Sequence, residues 1–167
     1  MILTWSKIIE EVQNKNIILE PFDISQINPN SYNYRLGNRL RKFDYIDNEK
    51  HFFFEEEIPE TWYKLVPHQL YLAATFETIG SSKYMISLIG RSSMGRLWLF
   101  LQLSANIGHT GTCHKWTLEL VSTKPFIIYP YMKIGQVSFW VNQWEVIHYD
   151  GLYNKFDNPQ ESLLSLH

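Results

Sequence analysis

Cysteine is nearly missing from this chain. The 167 residues include one, Cys113, so no disulfide can form within the molecule and a four-cysteine zinc site is excluded. The same scarcity rules out the zinc nucleobase deaminase signature, which needs H-x-E followed by P-C-x-x-C. An excess of one charge is missing too. Lys and Arg number 15 against 17 Asp and Glu, a net charge of −2. Phosphate neutralisation alone therefore cannot support nucleic-acid binding, and no nucleic-acid partner is expected. No apolar run approaches the ~20 residues of a membrane helix, so no membrane partner is expected either. The opening MILTWSKIIEEVQ lacks the uninterrupted apolar stretch of a signal peptide, and the expected compartment is the cytoplasm. Internal repeats, low-complexity tracts and long charge blocks are absent.

What is present is apolar and aromatic. With 45% apolar and 16% aromatic residues, the chain can bury a core, and at this length it is expected to hide roughly two-thirds of its unfolded surface. One domain over 1–167 is expected, with 150–167 as a flexible polar arm. Residues 4–15 read as a helix with Thr4 as N-cap and Trp5, Ile8, Ile9 and Val12 on one face. From Ile17 onward prolines recur, separating short aromatic and β-branched runs. Strands are predicted near Tyr32–Leu36, His51–Glu56, Tyr71–Glu77, Tyr84–Ile89, Leu97–Leu103, Trp116–Ser122, Phe126–Tyr129 and Val137–Val141. Short strands with frequent turn signals indicate an all-β sandwich or barrel.

Three segments carry the polar groups that chemistry needs. Gly90-Arg91-Ser92-Ser93-Met94-Gly95-Arg96 lies between two apolar strands. Its guanidinium forks, hydroxyls and free backbone amides suit a phosphate chain, although a polar turn with surface arginines has the same composition. In Trp116–Val121 the alternation sets Trp116, Leu118 and Leu120 on one face and Thr117 and Glu119 on the other. A shielded Glu119 would suit general acid–base work, whereas a solvent-facing one would be ordinary. His109-Thr110-Gly111-Thr112-Cys113-His114 gathers two histidines and the cysteine, but no second cluster completes a four-ligand zinc site.

Taken together these segments resemble the dCTP deaminase branch of the dUTPase-like superfamily over nearly the whole chain. Pro29-Asn30-Ser31-Tyr32-Asn33-Tyr34-Arg35-Leu36-Gly37 is similar to that family's P-x-S-x-D-x-R-L-G, with Asn33 for the Asp. Arg91–Arg96 is similar to R-S-S-x-A-R. Thr117-Leu118-Glu119-Leu120 is similar to the strand with the catalytic glutamate, at matching spacing from Arg91. Tyr131-Met132-Lys133-Ile134-Gly135-Gln136-Val137 is similar to G-M-x-I-G/A-Q-hydrophobic. The tail from Tyr149 through Lys155, Phe156 and Gln160 is similar to the arm that closes on the nucleotide.

The resemblance implies a mainly β fold, a distorted jelly-roll or β-barrel of the dUTPase-like type with a short N-terminal helix. It implies a homotrimer with sites between subunits, and deamination of dCTP to dUTP and ammonia with no metal on the base. Mg²⁺ is implied as companion of the triphosphate. Glu119 would move protons, with Ser92 and Arg96 positioning the water. The Ala105 backbone and Tyr149 would border the base or its water. Arg91, Ser93, Lys155 and Gln160 would hold phosphates, and His109 and Thr117 complete the substrate-binding set. His109 stands where the family has an Asp that contacts the sugar and, in dUTP-hydrolysing members, activates water. His114 stands in place of a Gly. This departure predicts that dUTP is not hydrolysed further. It leaves open an altered substrate, a different reaction such as diphosphate release or glycosidic cleavage, and a nucleotide-binding trimer without catalysis.

Overall fold

A computed structural model describes residues 1–47, 50–101, 104–153 and 156–163. After helix α1 (Trp5–Gln13) the chain runs through strand β1 (Ile17–Glu20), a 3-10 turn (Ile24–Gln26), β2 (Ile27–Asn28) and β3 (Ser31–Asp47). Next come β4 (Lys50–Glu57), β5 (Tyr63–Leu65), β6 (Leu70–Thr75), β7 (Thr78–Ser81) and β8 (Tyr84–Gly90). One helical turn, α2 (Ser92–Gly95), leads to β9 (Leu99–Leu101), β10 (Ile107–Gly108), β11 (Cys113–His114), β12 (Thr117–Ser122), β13 (Phe126–Ile128) and β14 (Lys133–Val141). The fold is mainly β with a short N-terminal helix, as the sequence predicts. No helix among the described residues is long and apolar enough to cross a membrane.

The main sheet runs β10-β8-β14-β3-β6-β12-β9, with β2 and β4 also on β3. Strand β3 joins its two halves. Residues Tyr32–Arg35 pair with β14, and residues Leu36–Lys42 pair with β6. Register shifts at both junctions let the strand bend, curling the sheet around a core that includes Tyr32, Tyr34, Tyr71 and Phe139. Gly135 is required where β14 crosses Tyr34: a Cβ there would stand 2.1 Å from the tyrosine ring. Tyr34 passes beneath it to donate its hydroxyl to the Ile89 carbonyl at 3.2 Å.

Two sequence motifs are structural. Ser31 donates to Gln136 Oε1 at 3.0 Å, and Asn33 donates to the Gln26 carbonyl at 3.1 Å, tying the β2–β3 corner to β14. Arg35 reaches the fully buried Glu77: its Nε is 2.6 Å from Oε1, and its backbone amide donates to Oε2 at 2.8 Å. The guanidinium also lies 4.7 Å over the Phe76 ring, which meets Tyr131 edge-on.

Several predicted elements need correction. The strand expected over Leu97–Leu103 begins only at Leu99, because α2 turns the chain and Trp98 closes that turn in the left-handed region at φ 70°; its predicted last two positions, 102 and 103, lie outside the described residues. The strand expected to run to Glu77 ends at Thr75, where the chain turns into β7. In α1, Thr4 makes no side-chain cap, Trp5 is 56% exposed, and Glu11 is buried beside Ile8. Helical spacing marks a stripe but not its edges, and Glu11 enters the stripe because polar partners meet it. It bonds Lys7 at 2.9 Å and Asn16 at 2.6 Å.

Burial works against ionisation of Glu11, but hydrogen bonds from Lys7, Asn16 and Tyr84 and the charge of Lys83 outweigh it. They hold the carboxyl down to about 2, against an ordinary 4.5. The unfolded chain therefore binds this proton more readily than the folded one. The stabilisation is complete above about pH 4.5 and drains away as pH falls towards 2. Urea midpoints measured at pH 6 and near pH 2.5 should fall further for the wild type than for Glu11→Gln. Equal falls would remove Glu11 from the acid sensitivity.

Candidate active site

Strand β12 places the central carboxylate. Leu118 and Leu120 are fully buried in the core, which turns Thr117 and Glu119 to the opposite face, as the alternation predicts. Glu119 is half-buried there. Its cross-strand neighbour on β6 is Leu72, so the carboxylate stands beside an apolar side chain. The Ser104 hydroxyl lies 2.7 Å from both carboxylate oxygens and holds their orientation. Sequence reading missed Ser104, because a serine between two apolar strands carries no spacing signal of its own.

Glu119 lies in a cavity of about 590 Å³. Ala105, His109, Thr117, Tyr149 and Gln160 line it as well, so these predicted residues are brought together. His109 stacks on Tyr149 with ring centroids 5.1 Å apart. The Tyr149 amide donates to the Thr110 carbonyl at 2.9 Å, docking the segment after β14 on this loop. Gly111 makes the loop possible. Its φ is +96°, and a Cβ there would come within 2.9 Å of His148. The tail continues across the mouth, where the Gln160 amide donates to Thr117 Oγ1 at 3.1 Å.

His114 and Trp116 also line the cavity, and their rings are 4.3 Å apart. Trp116 donates its indole N–H to the Ile79 carbonyl at 2.9 Å, which fixes the ring as a wall. Burial holds the His114 imidazole below its ordinary range, while the Lys115 carbonyl, Asp157 and the Phe156 backbone pull the other way. The histidines and Cys113 do not gather as a zinc site, and no group of three or more metal-ligating side chains occurs among the described residues.

The arginine–serine motif stands apart. Arg91, Ser92, Ser93 and Arg96 form and flank α2 and do not line the Glu119 cavity of their own chain. Arg91 Nη1 donates to the Lys133 carbonyl at 3.3 Å. Ser92, Ser93 and Arg96 are exposed, next to exposed Leu97 and Trp98. Lys155, predicted to hold a phosphate, lies outside the described residues.

The dCTP deaminase-like family model matches residues 2–142. The chain belongs to this family. A dUMP-forming dCTP deaminase of Hathewaya histolytica is 39% identical to it over 98% of this chain and 97% of its own. The corresponding protein of Clostridium beijerinckii is 38% identical over 98% and 96%. Among solved structures, the 2'-deoxycytidine 5'-triphosphate deaminase of Agrobacterium tumefaciens superposes with a TM-score of 0.70 at 17% identity, covering 84% of this chain. This chain spans about half of that one, 48%, and the likeness bears on the fold. The deaminase-like family thus accounts for the curled sheet, and in that sheet Glu119 is the carboxylate that faces the aromatic-walled cavity.

Proposed function

We propose that this enzyme removes the amino group of dCTP by hydrolysis and releases dUMP as its final nucleotide. The observation that carries the reading is Glu119, a carboxylate on an otherwise core-forming strand, oriented by Ser104 within an aromatic-walled cavity. A carboxylate so held can take one proton from water as the oxygen bonds to cytosine C4 and pass it to N3, then carry the second from the new C4 hydroxyl to N4, so that the C4–N4 bond breaks and ammonia leaves. A ring N3–H and a C4 carbonyl remain. Ser92 and Arg96 position the water and the developing charge, Ala105 borders it through its backbone, and Tyr149 walls the base. Arg91, Ser93, Lys155 and Gln160 hold the phosphates, and Thr117 and His109 complete the substrate contacts.

The product differs from the dUTP that the His109 departure predicts. The names of relatives 38–39% identical over nearly the full chain support dUMP. In that reading a second water bonds to the α-phosphorus and diphosphate leaves. His109, in the same cavity, is the group that takes the proton. Mg²⁺ accompanies the triphosphate on its own oxygens, where it offsets their charge.

Three copies assemble in this reading, each lending its Arg91–Arg96 segment to the Glu119 cavity of a neighbour. The separation of the two halves within one chain supports that arrangement. Two measurements test it together. Chromatography after incubation with dCTP and Mg²⁺ should yield dUMP, diphosphate and ammonia. Accumulated dUTP would end the second step, and free uracil or cytosine would replace hydrolysis by glycosidic cleavage. Co-refolding inactive Glu119→Gln chains with inactive Arg96→Ala chains should restore part of the activity, because some mixed sites draw one intact half from each. No recovery would mean that each chain builds its own site.

A further inference from the structure

The sheet carries a second charged group on the face of Glu119. The registers pair Arg41 of β3 with Leu72 of β6, and Leu72 with Glu119 of β12. Directly paired residues share a face, so Arg41, Leu72 and Glu119 form one row, with Arg41 roughly 10 Å along the sheet from Glu119. Arg41 has two carboxylate partners. Its Nε donates to Glu55 Oε2 at 2.9 Å, and its Nη1 bonds Glu161. Glu55 is also met by Arg39 at 3.1 Å and needs no help from the tail. Glu161 comes from the C-terminal segment, immediately after the Gln160 amide that bonds Thr117. Pro159 just before it is buried, and Glu161 itself lines the cavity. The segment is thus fixed at adjacent residues, by a backbone bond to the floor strand and by an ion pair to the far side of the row. Arg41 is 23% exposed and Glu161 36%, so water screens the pair only in part.

We propose that Arg41 and Glu161 form a latch that holds the C-terminal segment over the Glu119 cavity and thereby sets substrate affinity. The affinity half rests on the nucleotide reading above; the latch half does not. Both are positioning residues: they act through Gln160 and the closed mouth, and neither is asked to touch the reacting atoms.

Hydrogen exchange over residues 156–163 in the full-length, nucleotide-free protein tests the latch. Arg41→Ala and Glu161→Ala should each speed exchange there about fivefold, as expected for a half-buried pair, with the core strands unaffected. Glu161→Ala leaves the Glu55 pair intact, so its effect isolates the tail contact. The double variant should exchange no faster than either single, because both remove one interaction. With dCTP the same variants should raise KM about fivefold and move kcat less than about twofold, and Arg41→Lys should recover part of the loss. Unchanged exchange in both singles, or additive effects in the double, would overturn the latch. Loosened exchange with unchanged KM would overturn its role in affinity. A wild type that turns over no cytosine nucleotide would overturn the functional reading, while the exchange data still decide the latch.

Discussion

Glu119→Gln should lower ammonia release from dCTP by about 10²–10⁴-fold, the usual contribution of a positioned acid–base group. The amide keeps the shape and can still accept from Ser104, so the hydrogen bond that orients the side chain survives. What it loses is the capacity to take protons from the attacking water and pass them to N3 and the amino group. The loss should therefore fall on kcat, with KM changed little. Thermal unfolding should stay within about 1 kcal/mol of the wild type, because the side chain faces the cavity and the fully buried Leu118 and Leu120 carry the strand. Steady-state ammonia assays with a melting control make the comparison. Retained turnover in a folded variant would remove Glu119 from the chemistry and with it the proposed reaction.

Arg35→Ala should be the most damaging substitution for stability. It strips the cation from Glu77, which is fully buried, and leaves that carboxylate with the Arg35 amide as its remaining donor from that strand. Breaking a buried pair from one side costs about 3–5 kcal/mol. For a domain of this size, that corresponds to a fall of about 6–20 °C in melting temperature. The guanidinium stack on Phe76 goes with it. Adding Glu77→Gln should recover part of the fall, since the uncompensated charge is then gone while the amide oxygen still accepts from the Arg35 backbone. Calorimetry on the single and double variants gives the answer. A double variant that melts below the single would mean that the buried charge is not the source of the damage.

The Arg35–Glu77 pair illustrates how a motif can be legible and its role hidden. Arg35 stands out in the sequence within a family-like segment. Its partner lies 42 residues away, past a strand predicted to run through Glu77. Only the turn at Thr75 brings the carboxylate under the arginine. The same limit applies to α1. Periodicity marks a buried face, but two groups that hold the Glu11 carboxylate charged, Lys83 and Tyr84, come from the turn before β8 and from β8 itself.

The site divides in the same way. Period-two alternation in Trp116–Ser122 is a local property, because successive side chains of a strand must point to opposite faces. The outward direction of Glu119 and Thr117 follows from it, as does the β-rich class from short apolar runs between prolines. The shielding of Glu119 does not. It needs Leu72 from one strand, Ser104 from a loop, Trp116 packed against His114, and a tail folded back to Thr117. Each is a contact between distant chain segments, set by strand register and by where the terminal segment comes to rest. Alternation and composition thus determined that this chain is a β protein with a carboxylate aimed away from its core. Only the tertiary structure decided that the carboxylate faces a walled cavity, and that the arginine–serine turn lies outside it, because only packing brings residues far apart in sequence within reach of one another.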